Sequence, residues 1–166
     1  MKTCVYLSYK GLGANLLHLT YCHEIAKKFG PITIITLCKN LEQALNDDPL
    51  IKKIIFINNY HKRFIDIFRL RHFLNSFNFE QIFIFYPSLR IYLASIFSNI
   101  KKVYSYSIFK KKNLHLVKAA KKFTERTLRI NNCPIETNFF IKKNRIKKVN
   151  KNFDNKKFKI IIGAGS

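Results

Sequence analysis

Residues Cys4 to Phe29 constrain this chain more than any other stretch. An apolar run, Cys4-Val-Tyr-Leu-Ser8, meets Gly11-Leu-Gly-Ala-Asn15 and then a helical pattern. Strand, glycine turn and helix in that order bring backbone N–H groups to the carboxyl end of a central strand, where many α/β proteins build a site. Gly11 and Gly13 predict a backbone that side chains would not tolerate, and Asn15 is a favourable N-cap for the helix that follows. On that helix Leu19, Cys22, Ala26 and Phe29 share one side, while Thr20, Glu24, Lys27 and Lys28 lie on the other. The pattern predicts one face on a sheet and one in water, with Glu24 as solvated surface.

Gly11-x-Gly13 begins like a dinucleotide fingerprint, but Leu16 stands where the third glycine belongs. The next strand, Ile32 to Leu37, also ends without an acidic residue to hold a ribose, which argues against a nicotinamide or flavin site. No Gly-Lys-Ser/Thr follows, so a Walker-type phosphate loop is excluded.

The alternation continues along the chain. Pro31-Ile-Thr-Ile-Ile-Thr36 reads as a buried strand, Leu41 to Asn46 as a short helix broken by Asp47-Asp-Pro49, and Lys53 to Ile57 as a third strand. Phe64, Ile67, Phe68, Leu70, Arg71, Leu74 and Phe77 recur at helical spacing, which predicts an amphipathic helix from Lys62 to Phe77 with Arg63, Arg69 and His72 outside. Gln81 to Phe85 is a fourth strand stopped by Pro87. A helix from Leu89 to Phe97 follows, with Arg90 exposed at its mouth, and Lys102 to Tyr106 is a fifth strand.

After the basic turn Lys110-Lys-Lys112, a helix from Asn113 to Arg129 has Leu116, Ala120, Phe123 and Thr127 as its apolar stripe. His115, Lys118, Lys122, Arg126 and Arg129 line the opposite face. Residues 131–157 lose the pattern and read as a basic linker with one short strand, Thr137 to Ile141. Phe158 to Ile162 then starts a new strand that turns at Gly163-Ala-Gly-Ser166. The expectation is an α/β fold: a Rossmann-like parallel sheet with helices on both faces over residues 1–130, a linker over 131–157, and the first strand and loop of a second, largely absent domain over 158–166.

Composition sets the partners. With 166 residues, 48% of them hydrophobic, the chain can fill one core. No apolar run approaches the roughly 18 residues that span a bilayer, and Met1-Lys-Thr-Cys passes directly into a strand, so the expectation is a cytoplasmic protein. Cys4, Cys22, Cys38 and Cys133 are widely spaced and read as small buried side chains rather than a disulfide or metal set. Thirty-one Lys and Arg against 9 Asp and Glu give a formal charge of +22. From Lys101 to Lys159 there are 19 basic residues against Glu125, Glu136 and Asp154. An excess of this size implies an anionic partner: nucleic acid, an acidic membrane surface, or a phosphorylated or carboxylated substrate.

Three features together resemble glycosyltransferase family 9, the heptosyltransferase family of lipopolysaccharide assembly. They are the turn Lys10-Gly-Leu-Gly-Ala-Asn-Leu-Leu-His18, the helix entry Asn113-Leu-His-Leu-Val117 with its His-x-Val, and a last strand running into Gly163-Ala-Gly-Ser166. The resemblance implies the amino-terminal, acceptor-binding half of a GT-B enzyme, with a nucleotide sugar as donor substrate and no further cofactor or metal. It also implies an anionic saccharide or lipid-linked glycan as acceptor, at the inner membrane face. It places acceptor contacts at Lys10, Gly11, Gly13, Asn15, Arg90, His115, Lys118 and Lys122, and donor-phosphate contacts at Gly163, Gly165 and Ser166.

The chain departs from the family in two places. The catalytic Asp that usually follows the glycine is Ala14 here, which leaves His18 as the nearest titratable group, either a base or a packing histidine. An Arg that often follows the His-x-Val is Ala119, so the positive charge comes from lysines that lack the guanidinium fork. Two other readings compete. One is a catalytically inactive remnant that binds an anionic glycan or a partner subunit. The other is a nucleic-acid-binding module with Tyr104, Tyr106 and Phe109 as stacking groups, although no recognition motif for nucleic acid is present.

Overall fold

A computed structural model describes residues 1–58, 64–85, 88–106 and 115–140. Five strands are joined by helices in chain order: β1 (Thr3–Leu7), α1 (Leu12–Leu16), α2 (Leu19–Phe29), β2 (Ile32–Thr36), α3 (Leu41–Leu45), β3 (Ile51–Phe56), α4 (Asp66–Asn75), β4 (Gln81–Phe85), α5 (Leu89–Ile96), β5 (Lys102–Ser105) and α6 (Leu116–Leu128). The strands form one sheet in the order β3-β2-β1-β4-β5, and every pairing is parallel. This is the expected Rossmann-like α/β arrangement with helices on both faces.

The alternation of side chains along each strand explains why both faces are covered. Val5, Leu7, Ile32, Ile34, Phe83 and Phe85 point into a core closed by α2, α3 and α6. Cys4, Tyr6, Ile35, Ile82 and Ile84 point the other way, into a core closed by α4 and α5. β1 and β4 are buried at every position, as continuous apolar runs in a parallel sheet require. All four cysteines are free and buried.

Several expectations change. The helix expected from Lys62 to Phe77 runs from Asp66 to Asn75: Phe64 and Ile65 form a turn ahead of it, and residues 59–63 lie outside the described set. Along this stretch Leu70 and Leu74 are buried, but Phe64 and Phe68 stand in solvent. α2 keeps only part of its polar side in water: Lys27 and Lys28 are exposed, but Thr20 is buried, and so is the neighbouring His23. Residues 131–140 cover that side, for the Thr20 hydroxyl donates to the Glu136 carbonyl and the Phe140 ring stands edge-on to His23. Residues 137–140 form no strand, and Cys133 is tied back to Glu125, whose carboxylate accepts its N–H at 3.0 Å. Pro87, Lys110 to Lys112 and everything from residue 141, including the expected last strand and glycine loop, lie outside the described residues.

Candidate functional site

The chain winds outward from β1 through β2 to β3, then returns to place β4 and β5 on β1's other side. Ligands of open α/β sheets bind where the winding reverses, in the crevice beyond the carboxyl ends of the two strands concerned. Here those strands are β1 and β4. The loop leaving β1 carries Ser8, Tyr9, Lys10 and the glycine turn, and the Ser8 hydroxyl reaches back to the Phe85 carbonyl at the end of β4, at 3.5 Å.

Asn15 builds this turn. It is buried, its Nδ2 donates to the carbonyls of Tyr9 (3.0 Å) and Gly11 (2.7 Å), and its Oδ1 accepts from the Thr36 hydroxyl at 3.0 Å. The expected N-cap is therefore corrected. Gly11 occupies the cap position of α1 without a side-chain bond, and Asn15 sits inside α1 as a clamp between β1's loop and the end of β2. With both amide protons committed, Asn15 shapes the turn from within.

The glycines also differ from expectation. Gly11 has ordinary extended angles, Gly13 is helical, and a Cβ built on either would meet nothing within 4 Å. Neither backbone demands glycine. What the two residues provide is a bare, exposed surface at the switch point. Gly30 is the position that needs glycine, at φ +87° where α2 ends.

His18 lies one turn further, between α1 and α2, and is fully buried. Its Nδ1 is 2.7 Å from the Ala14 carbonyl, so this nitrogen carries the proton in a neutral ring. Nε2 has no hydrogen-bond partner among the described residues. The imidazole stacks on Tyr9 at 4.8 Å and meets the edges of Tyr21 and Phe85. Burial lowers the pKa of His18, with the Ala14 carbonyl acting weakly against that shift. Tyr106 closes the cluster against Phe85 and Phe123. Burial raises the pKa of Tyr21 to about 12, and Tyr106 is pushed higher still.

The His-x-Val stretch is brought to the same place. The Tyr21 hydroxyl donates to the Val117 carbonyl at 3.1 Å, pinning the first turn of α6 against the helix that follows the glycines. His115, Lys118 and Lys122 are exposed and share one side of α6, opposite buried Ala120, Phe123 and Leu128. Lys10, Gly11 and Gly13 are exposed as well. Arg90, in the first turn of α5, is half-buried, with its guanidinium 6.0 Å above the Phe64 ring. Glu24 pairs with Lys27 at 2.6 Å. Gly163, Gly165 and Ser166 lie outside the described residues.

The structure thus assembles the glycine turn and the start of α6 at one end of the sheet, and directs Arg90 toward α4. Sequence reasoning missed the tyrosines around His18 and the buried contact between His23 Nε2 and Asp48 at 2.6 Å. Tyr21 could have been found from its spacing, one helical turn after His18. Tyr9 and Tyr106 could not, since they come from separate loops. Among the described residues no group of three or more His, Cys, Asp or Glu could hold a metal ion. No helix among them is long and apolar enough to cross a membrane.

No protein-family model matches the chain, and no curated protein matches it. Solved structures do. A glycosyl transferase family 9 structure from Veillonella parvula superposes with a TM-score of 0.63 at 16% identity, covering 90% of this chain and 48% of that one. The ADP-heptose lipopolysaccharide heptosyltransferase II of E. coli gives 0.60 at 12% identity, covering 92% and 50%. The E. coli heptosyltransferase WaaC with ADP gives 0.50 at 14% identity, covering 84% and 50%. These likenesses show a glycosyltransferase-like fold, and the chain spans about half the length of the structures it matches.

Proposed function

We propose that this chain is the acceptor-binding half of a family 9-like glycosyltransferase, receiving an anionic saccharide at the β1/β4 switch point. The observation that carries the reading is the bare turn at Gly11 and Gly13, which no backbone strain in this chain requires, at the same end of the sheet as the start of α6, whose exposed face carries His115, Lys118 and Lys122. Uncovered N–H groups and long-armed ammonium groups suit a phosphate- or carboxylate-bearing sugar. Fold likeness alone would not name a function. It supports this one because the surface lies where such folds bind ligands.

In this reading the residues bind and orient, and proton abstraction is not their task. Ala14 has no titratable group, and His18 presents no nitrogen to the surface. A general base must reach the hydroxyl it deprotonates. The described residues then bind the glycan without carrying out transfer, which requires a nucleotide-sugar donor as well. The E. coli enzymes named above carry ADP or are named for ADP-heptose, which suggests an adenine-nucleotide sugar, with Gly163, Gly165 and Ser166 as proposed contacts to its phosphates.

The test is an amide-resolved NMR titration with a phosphorylated, carboxylate-bearing core oligosaccharide. Shifts centred on Gly11, Gly13 and residues 115–118, abolished by Gly13→Val without loss of fold, are the expected result. Shifts confined to other surfaces, or none at low salt, overturn the reading. An equal response to unrelated single-stranded oligonucleotides would move the function to nucleic acid.

A further inference from the structure

A second surface is unexplained by the switch point. On the face of α4 and α5 that is turned from the sheet, Phe64 is 73% exposed, Phe68 69%, Ile65 63% and Phe97 58%. They are contiguous: Phe64, Ile65, Phe68 and Phe97 line one groove with Ile67 and Arg71. Arg90 lies over the Phe64 ring, and Arg69 stands on the other side of α4, beside a second groove with exposed Phe56. The one acid on the two helices, Asp66, is buried and already pairs with Arg69 at 3.8 Å. Contiguous exposed aromatic surface of this kind marks a docking site.

We propose that this face docks peripherally on an anionic lipid bilayer, with Phe64, Ile65, Phe68 and Phe97 entering the headgroup–acyl boundary and Arg71 and Arg90 binding lipid phosphates. Charge selects this occupant over a second copy of the chain. A symmetric dimer through this face would bring arginine against arginine with no exposed acid on either helix to answer it, between two chains of formal charge +22. An anionic bilayer supplies what the patch lacks, phosphates for the guanidiniums and hydrocarbon for the rings. Phe64 and Arg90 stand at the amino ends of α4 and α5, the end of the sheet at which β1 and β4 terminate, so the bilayer lies on the side from which a lipid-linked acceptor would come. The docking itself is independent of the glycosyltransferase reading, because its test contains no saccharide.

The chain has no tryptophan, so Phe68→Trp provides a single fluorescent reporter. Its emission is expected to shift to the blue with vesicles of phosphatidylglycerol and phosphatidylcholine, and to stay unchanged with phosphatidylcholine alone. Arg71→Gln and Arg90→Gln should each weaken co-sedimentation about fivefold. Phe64→Ser with Phe68→Ser should weaken it more than about tenfold. Both phenylalanines are exposed, so an unchanged melting curve verifies the fold of that double variant. Co-sedimentation without a shift in the reporter's emission, or unaffected by the serine variant, would assign binding to another basic face and overturn the proposal. So would the absence of co-sedimentation, or a dimer in sedimentation velocity that the serine variant dissolves.

Discussion

Asn15 holds three partners from two parts of the chain, the loop after β1 and the end of β2. Asn15→Ala takes the side-chain donor from the Tyr9 carbonyl and the acceptor from the Thr36 hydroxyl proton, while Gly11 keeps the backbone N–H of residue 15 and Thr36 keeps that of Cys38; an unsatisfied buried polar group costs about 1–3 kcal/mol. Urea unfolding should show a loss of that order. The glycines separate cleanly. Gly30→Ala forces a side chain into a left-handed position and should cost about 1–3 kcal/mol. Gly13→Ala, within a helix and free of neighbours, should be neutral or stabilising by up to about 1 kcal/mol in the same assay. A larger loss at Gly13 would mean that the turn is needed by the fold and not by a ligand.

His18 gives the molecule a pH dependence whose sign follows from its burial. Its pKa in the folded chain lies below the ordinary 6.5, so the unfolded chain takes up a proton first as pH falls. Its contribution is fully present above that value and is lost as pH drops through it toward the lower, folded pKa. The melting temperature should fall more steeply between about pH 7.5 and about pH 5.5 in the parent than in His18→Phe, which has no proton to take up. Parallel curves would show that the ring reaches solvent.

At the level of elements, α2 and α6 carry the site, and they also show what the sequence could reveal. Period-two and period-3.6 patterns located all five strands and the central place of β1, because burial on both faces demands uninterrupted apolar runs such as Cys4 to Leu7. They could not say which side of α4 meets the sheet. Phe64 and Phe68 share helical spacing with Leu70 and Leu74 but project away from the core. Nor could they show that residues 131–140 cover the polar side of α2, since that segment has no period of its own. The glycine turn was legible as the place where a ligand would come. The tyrosine enclosure of His18 was not, because it exists only once β1, β4 and β5 are side by side. Phe123 locks α6 onto this enclosure through Phe85 and Tyr106. Phe123→Ala should cost about 3–5 kcal/mol, measured by denaturant midpoint, and should loosen the first turn of α6.

At the level of the molecule, a formal +22 over 166 residues means that like charges oppose compaction throughout. Raising sodium chloride from about 50 mM to about 500 mM shortens the screening length severalfold and should raise the melting temperature. A flat or falling response would show that the described ion pairs, such as those of Lys27 with Glu24 and Lys121 with Glu125, outweigh the general repulsion.

The sheet order has a last consequence, for synthesis. The first strand made is the middle one, and while β2 can zip onto one of its edges early, the other edge waits for residues 81–85. A nascent chain therefore exposes a greasy, half-hydrogen-bonded ribbon until β4 emerges, a target for chaperones and for sister chains on the same polysome.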